Sequence, residues 1–205
     1  MCRQLVINTY MIVLVYSGAF NPVHEGHIKL LTTIKDEMEK DSKYKVLRAF
    51  MSPSSNQYVS QKLGSDALTL EHRCETCRIA CHDYDWIQVC NYGLPSGYRT
   101  TQQLIHDGLI PKNTRVYEVG GIDFVLRCNQ LRYNKQFICV GRKGYTAKMR
   151  TQGNFIFINK ELENISSTEI RNYIKNADFI TPVSKGWMNP TVMEYIKSNG
   201  ESLYL

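Results

Sequence analysis

Residues 15–31, VYSGAFNPVHEGHIKLL, join a β-like run to a helix-like run through a turn that holds Gly18, Pro22 and two histidines. Upstream, YMIVLVYS (10–17) is continuous, apolar and β-branched, the pattern of a strand buried on both faces. Downstream of Glu25, the apolar residues Ile28, Leu31, Ile34 and Met38 recur every three or four positions, which is helical spacing. A strand that passes through a Gly-containing turn into a helix offers unbonded N–H groups at the positive end of a helix dipole. Such a place suits an anion, phosphate above all. Gly18 permits the tight turn and close backbone approach, and Gly26 leaves room in the first helical turn. His24 and His27, three apart, face one side of that turn. There they donate hydrogen bonds to phosphate oxygens and stabilise the charge that builds up in phosphoryl or nucleotidyl transfer. Protonated rings would do so more strongly, and a neighbouring polyanion favours their protonation. One histidine alone would read as a satisfied core residue. The pair, with no Cys or carboxylate at ligand spacing beside it, points to phosphate, and no metal ligands are assigned.

The remaining chain continues the alternation. KYKVLRAFMS (43–52) reads as a strand and the residues after Ser52-Pro53 as a polar loop. DALTLEHRCETCRIACHDY reads as a helix, WIQVCNY as a strand, TTQQLIHDGL as a short helix and TRVYEVGG as a strand. FVLRCNQL then reads as helix, FICVGR and FIFIN as strands, and the stretches around 167–176 and 190–198 as closing helices. Strands alternating with helices predict an α/β, doubly wound, Rossmann-like fold with a mostly parallel sheet. Ligands bind such sheets beyond the carboxyl ends of the strands, where the strand order reverses. The expected organisation is an extension over residues 1–10 and one domain over 11–205, whose helical carboxyl-terminal portion begins near residue 165.

Composition narrows the class. The chain has 205 residues, 43% of them hydrophobic, enough for one domain with a real core. Its 25 basic and 19 acidic residues leave a formal charge of +6, a mild bias that suits anionic small molecules. The dense Lys/Arg stripe expected of a nucleic-acid partner is absent. Arg142, Lys143, Lys148 and Arg150, around Gly144 and Tyr145, read as a solvated loop. No apolar run reaches membrane-span length, so no membrane partner is expected. The seven cysteines are an odd number without a secreted-domain framework, which points to a reducing, cytoplasmic setting, the nucleus remaining open. Cys74, Cys77 and Cys81, with His72 and His82 nearby, could suggest a metal site, but their spacing puts them on one helix face. Core packing is the expectation there, because free thiols are among the most buried groups and structural zinc sites prefer knuckles on turns.

A second polar stretch, NISSTEIRNYI (164–174), places Ser and Thr just before a helix, Glu169 early in it and Arg171 about one turn in. Ser or Thr there caps free N–H groups, and the planar fork of Arg171 suits phosphate oxygens. In VYEVGGIDF, Gly121 and Asp123 fall at a strand end, where a carboxylate can accept from ribose hydroxyls. Each of these alone would pass as an ordinary cap or turn.

Together they resemble one family. Gly18-Ala19-Phe20-Asn21-Pro22-Val23-His24-Glu25-Gly26-His27 is similar to the G-x-F-x-P-x-H-x-G-H signature of the HxGH nucleotidylyltransferases, and within them the chain most resembles the nicotinamide or nicotinate mononucleotide adenylyltransferases. Ile165-Ser166-Ser167-Thr168 with Arg171 resembles their I-S-S-T-x-x-R motif. The resemblance implies that His24, His27 and Arg171 are catalytic, and that Gly18, Ala19, Phe20, Gly26, Ser167 and Thr168 contact ATP phosphates. By the same resemblance Gly121, Asp123 and Arg142 meet the adenosine, and MSPSSNQYVSQKL contributes Tyr58 and Lys62 to the pyridine nucleotide. That last loop departs from the family by placing Val59-Ser60-Gln61 where lysines stand. WIQVCNYGLPSGYRTTQQL would add Tyr92 or Tyr98 for stacking and Thr100 or Thr101 for the amide or carboxylate. The implied reaction joins ATP to nicotinamide or nicotinate mononucleotide, giving NAD or its acid form and pyrophosphate, with Mg²⁺ held by phosphates and water. A homo-oligomer is compatible with the sequence. Relatives with another acceptor (phosphopantetheine or a cytidylyl acceptor) and a non-catalytic nucleotide-binding chaperone share parts of the pattern and stay open here.

Overall fold

The computed structural model describes residues 9–40, 42–128, 136–145 and 154–205. Lys148 and Arg150 of the basic loop lie outside them. Six strands, β1 (Tyr10–Gly18), β2 (Tyr44–Pro53), β3 (Ile87–Val89), β4 (Arg115–Gly121), β5 (Phe137–Arg142) and β6 (Phe155–Leu162), form one sheet in the order β3-β2-β1-β4-β5-β6. Every neighbouring pair is parallel. Among the described residues eight α-helices connect or follow them: α1 (Glu25–Lys40), α2 (Asn56–Leu63), α3 (Leu70–Ala80), α4 (Gly97–His106), α5 (Ile122–Cys128), α6 (Ser167–Lys175), α7 (Thr181–Ser184) and α8 (Pro190–Asn199). This is the doubly wound Rossmann-type order, and it reverses between β1 and β4.

The apolar run of β1 has a reason to be continuous. Ile12 and Leu14 enter the larger core beside Ile28, Leu31 and Ile34 of α1, while Val13 and Val15 enter the opposite layer with Phe50 and Leu104. Strand alternation sends successive side chains to opposite faces, so a strand covered on both has no polar position to offer. Each such side chain contributes about 1.5–3 kcal/mol through burial. The strand begins at Tyr10, paired with Tyr44, one residue before the expected domain boundary.

One feature differs from the sequence reading. Residues 56–63, expected as loop, form α2, whose amino end is capped by Ser55 accepting from the Tyr58 N–H. The helix is short and buries only Val59, too little periodicity to register. The carboxyl-terminal portion packs into the main core through Ile170, Met188, Val192, Met193 and Ile196. The chain end ties back to the segment before α3, with Leu205 N–H donating to Ala67 O at 2.9 Å and Thr69 N–H to Leu203 O at 2.8 Å. Cys74, Cys77 and Cys81 are free and buried, as core packing required. Among the described residues no helix is long and apolar enough to cross a membrane, and no three His, Cys, Asp or Glu cluster as metal ligands.

Candidate active site

At the carboxyl end of β1 the chain turns through Ala19–His24 into α1. The residue that bends backward is Phe20, at φ 46°, and not Gly18. Gly18 instead admits the Phe20 ring, which lies 3.2 Å from where a Cβ at Gly18 would stand. Asn21 is buried and fixes the turn with both ends of its amide, accepting from Leu68 N–H and donating to Asp66 O, each at 2.7 Å. Phe20 meets Tyr16 and His27 edge-on, with ring centroids 5.2 and 5.0 Å apart.

The two imidazoles stack, centroids 3.7 Å apart at 27°. The backbone N–H of His24 donates to His27 Nδ1 at 3.0 Å, which leaves the proton of neutral His27 on Nε2. Gly26 has a specific use, since a Cβ there would stand 3.1 Å from the His24 ring. Burial, followed by the positive field of Arg142, pushes the His27 pKa down to about 3. His24 also lies well below its ordinary value, through burial first, then His27 and Arg142. Both rings are therefore neutral at neutral pH in the free protein. A polyanion in the site would raise both values. Nδ1 of His24 is buried and has no hydrogen-bond partner among the described residues.

The second motif arrives from the opposite end of the chain. Ser167 Oγ donates to Pro22 O at 3.0 Å, and Arg171 Nη1 donates to Asn21 O at 2.8 Å. Arg171 Nη2 reaches Thr168 Oγ1 at 3.1 Å, and its Nε lies 3.9 Å from Asp66 Oδ2. Ser166, at the N-cap of α6, makes no side-chain cap. The expected capping thus fails, which keeps the first N–H groups of α6 free of a side-chain cap where a ligand oxygen can reach them. At the end of β4, Gly121 has room only for hydrogen, because a Cβ would stand 2.7 Å from Asp123 Oδ1. Asp123 Oδ2 pairs with Arg142 Nη1 at 3.3 Å, and the Arg142 fork also donates to Ile165 O.

These groups share one cleft of about 280 Å³ at the β1–β4 switch. It is lined by Gly18, Ala19, Phe20, His24, Gly26, His27, Lys62, Gly121, Asp123, Arg142, Ser167, Thr168 and Arg171, so the phosphate and adenosine candidates converge. Of the pyridine-side candidates only Lys62 joins them. Tyr58 and Tyr98 are exposed to solvent, and Tyr92 donates to Asp107 Oδ2 at 2.6 Å. Thr100 is fully buried, sharing a 2.8 Å hydrogen bond with Ser52 Oγ and donating to Ser96 O at 3.2 Å. Thr101 bonds back to Gly97 O at 2.9 Å. None of these five lines the cleft. The sequence reading missed the parts that set the loop: Asn21 as a two-ended clamp, Asp66 beside Arg171, and Arg73 beneath Ala19.

Comparison with known proteins agrees with this geometry. A stretch of 78 residues is 33% identical to Xenopus tropicalis nicotinamide/nicotinic acid mononucleotide adenylyltransferase 2, covering 38% of this chain and 24% of that protein. A Borrelia garinii protein described as "Probable nicotinate-nucleotide adenylyltransferase" is 25% identical over 197 residues, 92% of this chain and 93% of its own length. The solved structure of Plasmodium falciparum nicotinic acid mononucleotide adenylyltransferase, complexed with NaAD, superposes with a TM-score of 0.68 at 18% identity. It covers 95% of this chain and 98% of its own, and shows the shared fold. Residues 15–173 match the cytidylyltransferase-like family model, and the chain belongs to that family.

Proposed function

We propose that the protein is a nucleotidylyltransferase of NAD biosynthesis, moving AMP from ATP to nicotinamide or nicotinate mononucleotide. The observation that carries this reading is the convergence of the β1–α1 turn and α6, joined by the Arg171–Asn21 and Ser167–Pro22 bonds, on one cleft. The names of the relatives supply the acceptor. An oxygen of the mononucleotide's 5′-phosphate attacks the α-phosphorus of ATP in line, and the bond to the β-phosphate oxygen breaks to release pyrophosphate. Phosphate is already nucleophilic near neutral pH, so no general base is needed. The work is positioning two polyanions and stabilising charge on the α-phosphoryl group.

His27 Nε2–H and His24 donate to the phosphate oxygens. Arg171, Ser167, Thr168 and the uncapped N–H groups of α6 hold the β- and γ-phosphates. Asp123 and Gly121 receive the ribose, with Arg142 beside them. Gly18, Ala19, Phe20 and Gly26 let the phosphates approach backbone, and Lys62 faces the acceptor. The other pyridine contacts, from Tyr58, Tyr92, Tyr98, Thr100 or Thr101, require the segment carrying them to close on the cleft. Of the lining carboxylates Asp123 is paired with Arg142, and Glu163 lies 4.0 Å from Lys29 Nζ; this donor set would suit Mg²⁺ held by the triphosphate and water, where it would neutralise phosphate charge. The free, buried thiols support a reducing, cytoplasmic setting.

The test is product analysis. The protein is incubated with ATP or CTP and with each mononucleotide, phosphopantetheine or a cytidylyl acceptor. Dinucleotide and pyrophosphate in equal amounts from ATP and a pyridine mononucleotide are expected. Turnover of another pair alone would move the protein to another branch of its family, and pyrophosphate release from none would leave a binding protein.

A further inference from the structure

Arg73 on α3 has none of its surface exposed, yet among the described residues its guanidinium bonds only to neutral acceptors. Nε donates to Leu68 O at 3.0 Å, Nη1 to Ala19 O at 3.1 Å and Nη2 to Asn56 Oδ1 at 3.2 Å. Among the described residues no carboxylate pairs with it, and the adjacent thiols of Cys74 and Cys77 are neutral, because burial pushes both up from their ordinary value. A buried cation without a countercharge is costly to keep, and a hydrophobic or paired side chain would stabilise the protein more. What it touches explains its presence. Ala19 lines the cleft, so the guanidinium lies one peptide unit behind the surface that faces the ligand. Because the peptide is planar and trans, a carbonyl of Ala19 turned toward Arg73 sends the N–H of Phe20 the opposite way, to the cleft side. Gly18 O is likewise turned away, accepting from Ser54 N–H at 2.9 Å and Ser54 Oγ at 3.2 Å.

We infer that Arg73 is a positioning residue for polyanion binding, which orients the Ala19–Phe20 peptide toward the cleft and supplies from behind it a positive charge that no carboxylate among the described residues pairs with. The inference rests on the proposed nucleotide site and adds a residue to it that never touches the ligand. In low-dielectric surroundings a charge at this range acts with little screening. The same side chain, through Asn56, ties the turn to the start of α2, the helix that brings Lys62 to the cleft.

Asn56→Asp tests this without dismantling the fold. Its Oδ1 already accepts from Arg73 and from Leu70 N–H at 2.5 Å, and a carboxylate of the same shape keeps both bonds while neutralising the guanidinium. The new charge also sits in the first turn of α2, where the helix dipole favours it. Calorimetric titration with ATP and with uncharged adenosine, alongside thermal unfolding, separates the possibilities. Expected are an unfolding temperature equal to or above wild type, ATP affinity about tenfold weaker, and unchanged adenosine affinity. Arg73→Gln, which removes the charge, should lose ATP affinity to a similar degree. ATP binding by Asn56→Asp or a folded Arg73→Gln at wild-type strength overturns the inference, as does a parallel loss of adenosine. Failure of the wild-type protein to bind ATP would instead overturn the nucleotide site itself.

Discussion

Arg171 Nη1 donates to the main-chain oxygen of Asn21 at 2.8 Å, a bond that closes 150 residues of sequence. It holds the two proposed phosphate-binding segments at one spacing and leaves the rest of the guanidinium facing Thr168 and Asp66. A lysine can place a charge there but cannot serve both sides. Arg171→Lys should lower kcat/KM for ATP at least about tenfold, because bidentate geometry is lost while the charge is kept. Steady-state kinetics at varied ATP checks this; wild-type values would detach Arg171 from the triphosphate.

In the proposed mechanism the His27 ring is a preorganised donor to the transferring phosphoryl group, and removing it takes that donor away. His27→Ala should reduce kcat by about a hundred- to a thousandfold with a native circular-dichroism spectrum. His24→Ala should cost turnover too, and less, because its backbone N–H, which orients His27, survives the substitution. Near-normal turnover by His27→Ala would remove it from the mechanism.

Gly26→Ala separates stability from activity. The methyl group would stand 3.1 Å from the buried His24 ring and displace it, while alanine is the better helix former by about 1 kcal/mol. Thermal unfolding should stay near wild type and turnover should fall about tenfold. An active Gly26→Ala variant would mean that the ring position is not critical.

Both imidazoles have folded pKa values below the ordinary 6.5, about 3 for His27. Unfolding below pH 6.5 therefore takes up protons that the folded free protein does not bind. The stability due to the neutral rings is fully present above pH 6.5 and falls progressively as pH drops toward 3. Urea unfolding from pH 7.5 to 4.5 should show this loss, reduced in His27→Asn. A profile identical in the variant would assign the acid sensitivity to other groups.

The sequence made the first turn and its neighbours readable because there local chemistry and fold coincide. A strand covered on both faces must be apolar throughout, and α1 packs one face, so its periodicity is clean. The two motifs proposed to bind phosphate were legible for the same reason, since each lies where a strand or loop meets a helix start. Arg73 was not, although a signal existed: it shares a helix stripe with Cys77 and Cys81, at i+4 and i+8, so it lay on the buried face. A charged side chain on such a stripe is read as solvated until the fold supplies carbonyls to receive it. Thr100 was misleading in the opposite sense. Its place at a helix start suggests a ligand contact, but Ser52 on β2 lies across the layer and takes the hydroxyl.

Thr100→Val follows from that pairing. It leaves the buried Ser52 hydroxyl without its partner and should cost about 1–3 kcal/mol of stability, read by denaturant unfolding. If stability is untouched while the KM for the mononucleotide alone rises, Thr100 serves the acceptor directly.

The most direct measurement is a crystal structure with a nonhydrolysable ATP analogue. Expected is a single triphosphate lying between the His24–His27 stack and Arg171, with its base side toward Gly121 and Asp123. An analogue bound elsewhere, or reaching one of the two segments and not the other, would contradict the shared phosphate site from which the proposed transfer is drawn.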